Sequence, residues 1–197
     1  MVSEEKNQSN IINSELNLNY NKYIYADRPI NRFKTKPKVE DISTKLDELR
    51  NEIEKIENCE LKKNASKIVF SDGNNRSKIM IVGEGPGQKE DQEGKPFVGE
   101  AGILLNKMLK SINIQRKNVY ITNVVNYRPP NNRKPEPAEI KKYSNFLRKH
   151  ISIIDPKILI LMGSTAMESL FGSNIKITKE RGNWKDIIIN NPIQTIT

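Results

Sequence analysis

The chain has 197 residues, of which 29% are charged, and its mean hydropathy is −0.67. This length suffices for one domain with a hydrophobic core and a tail, and no apolar run approaches the roughly 20 residues of a membrane-spanning helix. The single cysteine, Cys59, excludes an internal disulfide framework. The polar N-terminal stretch MVSEEKNQSN lacks an apolar signal segment, which predicts a cytoplasmic protein.

The formal net charge of +9 has two explanations. An excess of Lys and Arg indicates an anionic partner such as nucleic acid. The same excess arises without a ligand when the coding sequence is rich in A and T, because Lys, Asn and Ile then become frequent together, as they are here. Charge alone leaves both explanations open.

The N-terminal residues differ in character from the rest of the chain. Residues 1–38 are rich in Asn and lack sustained periodicity, which predicts a disordered or loosely docked extension. Residues 39–197 then form the folded domain, which begins with a helix over residues 39–58. The apolar residues of this helix recur at intervals of three or four: Ile42, Leu46, Leu49, Ile53 and Ile56.

The stretch from Lys78 to Gly102 is the most distinctive part of the sequence. The apolar run 79–82 predicts a buried strand that ends at Gly83. The GEGPG loop that follows is too rich in Gly and Pro to be helix or strand. Because parallel sheets bind ligands at the carboxyl ends of their strands, we expect a functional site at this loop.

The remaining elements alternate between strand and helix. A helix over residues 101–112 is expected to turn Ile103, Leu104, Leu105, Met108 and Leu109 inward. Further strands are predicted at 67–70, 118–125, 157–162, 187–189 and 193–196, with helices at 137–153 and 164–170. This order predicts an α/β fold: a three-layer α/β/α sandwich whose central, mostly parallel sheet has about four strands.

Three loops should meet at the carboxyl edge of this sheet: residues 83–99, 123–137 and 163–165. A glycine-rich loop before a helix can bind phosphate. However, Gly83, Gly85 and Gly87 do not form the dinucleotide-binding fingerprint, and the loop has no Walker lysine. Phosphate binding is therefore a weak interpretation of this loop.

The motifs of these loops, taken together, resemble a known family. The segments GEGPGQKEDQEGKPFVGEAGILLNKML, VYITNVVNYRPPNNRKPEPAEI, PKILILMGSTAMESL and ITKERGNW occur in the order and spacing of the family 4 uracil-DNA glycosylases. The resemblance runs from about residue 53 to the end of the chain. It implies a DNA repair enzyme that hydrolyses the N-glycosidic bond of deoxyuridine, after the nucleotide is extruded into a pocket.

The resemblance also implies roles for four residues. Glu84 matches the carboxylate beside the sugar, where its charge would stabilise an oxocarbenium-like sugar or orient the attacking water. The N–H of Gly85 would meet the base, since no side chain blocks a close approach. Phe97 matches the aromatic that stacks on uracil, although an ordinary core Phe remains an alternative. Asn123 matches the amide that reads the uracil edge, although an Asn that satisfies a turn is the alternative.

Four further residues are candidate contacts to DNA phosphates. Arg128, Arg133 and Lys134 lie in the proline-rich loop, and Ser164 stands at the start of a helix. Ordinary solvated surface residues are an equally good explanation for each of them. The expected partner is uracil-containing DNA, with no membrane partner, and the protein is expected to be a monomer.

The chain departs from the family at its cofactor. The family holds a 4Fe–4S cluster with four cysteines, and the matching positions here are Ile56, Cys59, Tyr127 and Tyr143. One thiolate cannot hold such a cluster, so no cofactor is expected and Cys59 is not expected to bind metal. We hypothesise that these four positions pack as a small core around Cys59.

A second departure concerns the end of the sequence. The family carries a late HPS loop, whose histidine contacts uracil O2, after the strand that matches residues 193–196. The sequence ends at Thr197, so a C-terminally shortened domain with impaired activity is expected. Losing a positioned donor of this kind typically costs about 10²–10³ in rate. The sole histidine, His150, is expected at the surface or at a helix end.

These observations favour a uracil-DNA glycosylase of base-excision repair. One alternative is a non-catalytic DNA-binding or DNA-polymerase-associated module that keeps the basic surface and the pocket loops without turnover. A decayed gene product that does not fold stably is another.

Overall fold

The structure is a computed structural model that describes residues 41–190 and 192–196. The predicted N-terminal extension, residues 1–38, lies outside the described residues. Within the described part, no helix is long and apolar enough to cross a membrane.

The described residues form seven α-helices and six strands. The helices are α1 (Ile42–Glu54), α2 (Glu60–Asn64), α3 (Gln88–Glu93), α4 (Glu100–Ser111), α5 (Pro137–Ile154), α6 (Ser164–Phe171) and α7 (Ile177–Glu180). The strands are β1 (Asp72–Gly73), β2 (Ile79–Gly83), β3 (Tyr120–Asn123), β4 (Ile158–Leu161), β5 (Trp184–Ile188) and β6 (Pro192–Ile196). Short 3₁₀ helices lie at Arg116–Asn118 and Pro130–Asn132.

The six strands form one sheet in the order β1-β3-β2-β4-β6-β5. The four central strands run parallel, while β1 and β5 pair antiparallel at the two edges. The α/β prediction is confirmed, but the sheet has six strands rather than about four. The expected strand at residues 67–70 is wrong: these residues are not strand, and the short strand β1 follows them.

Helices cover both faces of the sheet because the buried strands carry apolar residues on both sides. On one face, Met80 and Val82 belong to the larger core, which includes residues of α1, α5 and α6. On the other face, Ile81 and Ile121 pack with Leu105 and Leu109 of α4. Alternate residues of β2 thus point into different cores, which is the expected three-layer arrangement.

Helix α4 is oriented differently from the sequence prediction. Gly102, Leu105 and Leu109 are buried, whereas Ile103, Leu104 and Met108 are 50%, 59% and 53% exposed. A side chain at Gly102 would overlap the carbonyl group of Phe97, so the backbone of the preceding loop lies directly against this face. That contact fixes the rotation of the helix and leaves the other apolar residues outside.

His150 is also placed differently from the prediction. It lies in the last third of α5 and is only 2% exposed, so it is neither a surface nor a helix-end residue. Its Nε2 lies 2.6 Å from the hydroxyl of Tyr120, and its ring stacks on Phe70 at a centroid distance of 4.6 Å. Burial lowers the pKa of His150 from 6.5 to about 3, so the ring is neutral near pH 7.

Candidate active site

A cavity of about 490 Å³ lies at the carboxyl edge of the sheet. Its lining comes from the ends of three neighbouring strands and the loops after them: Gly83 at the end of β2 with Glu84, Gly85 and Phe97 after it, Asn123 at the end of β3, and Gly163 after β4. Parallel pairing places Gly83 opposite Asn123, which brings the ends of these two strands together. The predicted meeting of the three loops is confirmed, and the volume is typical of a small-ligand site.

Asn123 and Phe97 approach each other above Gly83. A Cβ atom at Gly83 would lie 2.5 Å from both Asn123 Oδ1 and Phe97 Cζ. The absence of a side chain at this position therefore allows the amide and the aromatic ring to occupy the same wall of the cavity. Asn123 is only 3% exposed, and among the described residues none forms a hydrogen bond with its side-chain amide.

The backbone of Phe97 is held in an uncommon conformation. Its φ angle is 53°, in the left-handed region that non-glycine residues seldom adopt. Arg116 donates to the carbonyl oxygens of Phe97 at 3.0 Å and of Pro96 at 2.6 Å, and its Nε donates to Asp72 at 2.7 Å. Such strain persists only where the surroundings fix it. Arg116 is thus one of the groups that fix the position of the aromatic ring.

Glu90 holds the other side of the same loop. Its carboxylate accepts hydrogen bonds from the backbone N–H groups of Gly87, Val98 and Gly99 at 2.7–3.1 Å. Burial alone would raise the pKa of Glu90, but these backbone donors outweigh it, so the pKa lies below its ordinary value. The ionised carboxylate therefore ties the start of α3 to the turn that precedes α4.

Glu84 extends from the loop between two glycines. Its backbone is anchored next to β3, since the Val125 N–H donates to the Glu84 carbonyl at 3.1 Å. Its side chain is exposed to the cavity, and its Oε2 accepts a hydrogen bond of 2.5 Å from the hydroxyl of Thr165. The carboxylate thus stands at the cavity with one oxygen engaged.

Gly85 lines the same cavity. A Cβ atom there would lie 2.7 Å from Val125 Cγ2. The loop therefore packs closely on the chain after β3, and a larger residue at this position would displace it.

The comparison with known proteins assigns this chain to a family. The family model of the Uracil DNA glycosylase superfamily matches residues 70–194, a segment that includes every cavity residue described above. The chain belongs to the uracil-DNA glycosylase superfamily. This confirms the resemblance that the sequence motifs indicated.

Relatives of this superfamily member are named Type-4 uracil-DNA glycosylase. The protein from Thermotoga maritima is 45% identical over 132 residues, which are 66% of this chain and 69% of the relative. The protein from Archaeoglobus fulgidus is 43% identical over 126 residues, 64% of this chain and 63% of the relative. The protein from Sulfurisphaera tokodaii is 43% identical over 148 residues, 71% of this chain and 67% of the relative. The matches thus span about two thirds of the length of these relatives.

The predicted DNA-binding residues of this superfamily member lie outside the cavity lining. Arg133 forms two hydrogen bonds of 2.8 Å with Glu139, which raise the pKa of Arg133 and lower that of Glu139. Lys134 lies 3.5 Å from both Ser164 and Glu168. Arg128 donates to Asn132 at 2.7 Å.

These contacts differ in how easily a phosphate group could replace them. The Arg133 guanidinium already has a carboxylate partner in a two-bond geometry, which is the arrangement that a phosphate would have to replace. Within the described residues, the hydrogen bond of the Arg128 side chain goes to a neutral amide, and the contacts of Lys134 are long. Arg128 and Lys134 are therefore held less tightly by neighbouring side chains than Arg133.

Three residues at this site were not found from the sequence. Glu90 is the third residue of α3, three positions after Gly87, and this spacing, at which a glutamate can accept from the N–H of the N-cap residue, could have indicated its role. Arg116 and Thr165 gave no such signal. Their partners, Phe97 and Glu84, lie 19 and 81 positions away in sequence, and only the folded chain brings them together.

Proposed function

We propose that this chain releases uracil from DNA by hydrolysing the N-glycosidic bond of deoxyuridine. The observation that carries the proposal is the meeting of Glu84, Asn123 and Phe97 at one cavity of about 490 Å³. The cavity has room for a single base, and it supplies a carboxylate, an amide and an aromatic ring within one site. The names of the relatives support this reaction.

We infer that Phe97 and Asn123 bind the extruded base. The aromatic ring offers a face on which a flat base can stack. The Asn123 amide can donate to uracil O4 and accept from uracil N3–H, the reverse of the pattern on cytosine. Since no described residue competes for this amide, it is free to bind a base. The Gly85 N–H is a further candidate donor to the base.

We infer that Glu84 supports the chemical step. As the bond between base and sugar breaks, positive charge develops on the sugar, and a nearby carboxylate stabilises that charge or orients the attacking water. The products are free uracil and an abasic site. Extruding the nucleotide costs a few kcal/mol, and phosphate contacts by Arg128, Arg133, Lys134 and Ser164 would help to hold the duplex.

The residues at the family's cluster positions do not fit an iron–sulfur cluster. Ile56, Cys59, Tyr127 and Tyr143 are each at most 9% exposed and belong to one hydrophobic core. The sulfur of Cys59 lies 3.4 Å from the hydroxyl of Tyr143. Cys59 is the sole cysteine of the chain, and the described residues contain no group of three or more His, Cys, Asp or Glu that could hold a metal.

We propose that these four side chains fill the cluster volume as apolar core. The prediction is that protein purified aerobically and protein purified anaerobically both contain far less than one iron per chain. The Cys59→Ser variant, which removes the only thiolate, should show the same iron content. About four irons per chain, lost in Cys59→Ser, would contradict the proposal.

The glycosylase proposal is tested by uracil release from a uracil-containing oligonucleotide. We expect Glu84→Ala to lower the rate by about 10²–10³, the usual cost of removing a group that stabilises transition-state charge. Glu93→Gln is the matched control, because Glu93 is an exposed carboxylate of α3 outside the cavity lining. Its rate should equal that of the unmodified chain.

The alternative function, a non-catalytic DNA-binding module, gives a different result. It predicts salt-sensitive binding of the oligonucleotide with no uracil released by any variant. The net charge of +9 fits either function, so binding alone does not decide between them. Uracil release that depends on Glu84 distinguishes the enzyme from the binding module.

A further inference from the structure

The residues next to Glu84 in the sequence do not fix the orientation of its carboxylate. Both of its neighbours are glycines, which offer no side chain to pack against it, and the side chain is exposed to the cavity. A glutamate in such surroundings would ordinarily sample several rotamers. In the described part of the structure, its carboxylate has one hydrogen-bond partner, the Thr165 hydroxyl at 2.5 Å.

Thr165 itself lies inside the protein, in the first turn of a helix. It is completely buried and is the second residue of α6, directly after the turn at Gly163, whose φ angle is 96°. As a β-branched residue in a helix, it has few accessible side-chain rotamers. The hydroxyl therefore points from the buried first turn of α6 towards the carboxylate on the loop after β2, across 81 residues of sequence.

We propose that Thr165 is a positioning residue that holds the Glu84 carboxylate in the orientation used for catalysis, an inference that rests on the proposed glycosylase function. The hydroxyl donates to Oε2 and fixes the plane of the carboxylate. Oε1 then faces the reacting sugar or water in one orientation rather than many. Preorganised charge of this kind acts without reorganisation during the reaction.

The expected effect of Thr165→Val is a loss of turnover without a loss of substrate binding. The kcat for uracil release should fall by about 10²-fold, because a displacement of about 1 Å at a catalytic group can cost that much, while KM stays nearly constant. Thr165→Ser keeps the hydroxyl and should recover most of the rate. Ser169→Ala is the matched control: it removes another buried hydroxyl of α6, which, among the residues described, donates to the Ala166 carbonyl rather than to Glu84.

A double-mutant cycle separates positioning from general damage. If Thr165 acts only through Glu84, Glu84→Ala with Thr165→Val should be no slower than Glu84→Ala alone. A double variant that is slower by the full effect of both changes would overturn the proposal. So would a Thr165→Val variant with unchanged kcat, or a Thr165→Ser variant as slow as Thr165→Val. Thr165→Ala serves in the same cycle if Thr165→Val melts below the assay temperature.

A measurement independent of activity keeps this inference separate from the glycosylase function. NMR relaxation of the Glu84 side-chain methylene groups should show an ordered side chain in the unmodified protein. Thr165→Val should increase its mobility, and Ser169→Ala should not. If the unmodified chain releases no uracil, the proposed function fails, and this measurement still decides whether Thr165 orders Glu84. Equal order in Thr165→Val and the unmodified protein would refute the inference.

Discussion

Replacing Asn123 with Asp is expected to reduce uracil release by at least about 10³-fold. The amide offers one donor and one acceptor, whereas an ionised carboxylate offers acceptors only. The carboxylate would face uracil O4 with no hydrogen to donate, and a buried polar group left without its partner is penalised strongly. Asn123 is 3% exposed, so water cannot easily compensate. The measurement is kcat/KM on a uracil-containing oligonucleotide.

Asn126→Asp is the matched control for this substitution. Asn126 is as buried as Asn123 and lies three residues further along the chain, where its side-chain amide donates to the Val69 carbonyl at 3.2 Å. The same change from amide to carboxylate should lower the melting temperature of Asn126→Asp. Its folded fraction should nevertheless release uracil at the normal rate, because this residue does not line the cavity.

The same oligonucleotide with cytosine in place of uracil provides a second test of this role. A carboxylate can accept from the exocyclic amine of cytosine, so cytosine release should rise. The ratio of uracil release to cytosine release should therefore fall by a larger factor than the uracil rate itself. If Asn123→Asp keeps uracil release within tenfold of the unmodified chain, Asn123 does not read the base. The pocket would then have to select uracil through another group.

The sequence identified the parts of the site that lie at the ends of strongly patterned strands. The runs 79–82 and 158–161 are apolar and β-rich, so their ends, and with them Glu84 and Gly163, could be placed at one edge of a parallel sheet. The motif PFVG and the strand end TN, which carried the family resemblance, placed Phe97 and Asn123 at the same site, and both residues line the cavity. Strand pattern and family motif together were sufficient to place these residues at the site.

The sequence did not identify contacts that depend on how elements pack together. Five apolar residues of α4 were expected to face inward, but one helix face accommodates only Leu105 and Leu109 beside Gly102. The rotation of the helix depends on the contact between Gly102 and the Phe97 backbone, which no local pattern encodes. The same holds for Thr165 with Glu84 and for Arg116 with Phe97.

The burial of His150 could have been predicted from spacing. Tyr143, Leu147, His150 and Ile154 follow one another at intervals of four, three and four residues, which places them on one face of a helix. The polarity of a histidine favours the surface, whereas its position on this face favours burial. In the structure the His150 ring is buried together with this stripe, so its position in the helix outweighs its polarity.

Lowering the pH from 7.5 to 5 is expected to destabilise this domain by about 2 kcal/mol through His150 alone. Burial lowers the pKa of His150 to about 3 in the folded chain, against roughly 6.5 in the unfolded chain. The folded state therefore favours the neutral ring. The contribution of His150 to the free energy of unfolding is fully present above pH 6.5. It is lost as the pH falls from 6.5 towards 3, because only the unfolded chain readily takes up the proton. Since small domains have about 5–15 kcal/mol of stability, this change is large.

Denaturant unfolding of the unmodified chain and of His150→Gln at several pH values tests this expectation. The glutamine amide can still hydrogen-bond the Tyr120 hydroxyl but cannot take up a proton, so its stability should be nearly constant between pH 7.5 and 5. Glu90 and Glu139, whose pKa values are lowered in the folded state, lose their contribution only below about pH 4.5, outside this range and equally in both proteins. His150 is the only histidine of the chain, so a difference between the two pH profiles is assigned to it directly. Parallel profiles would mean that the ring takes up its proton in the folded state without a penalty, which its complete enclosure by Phe70, Tyr120 and the apolar stripe of α5 argues against.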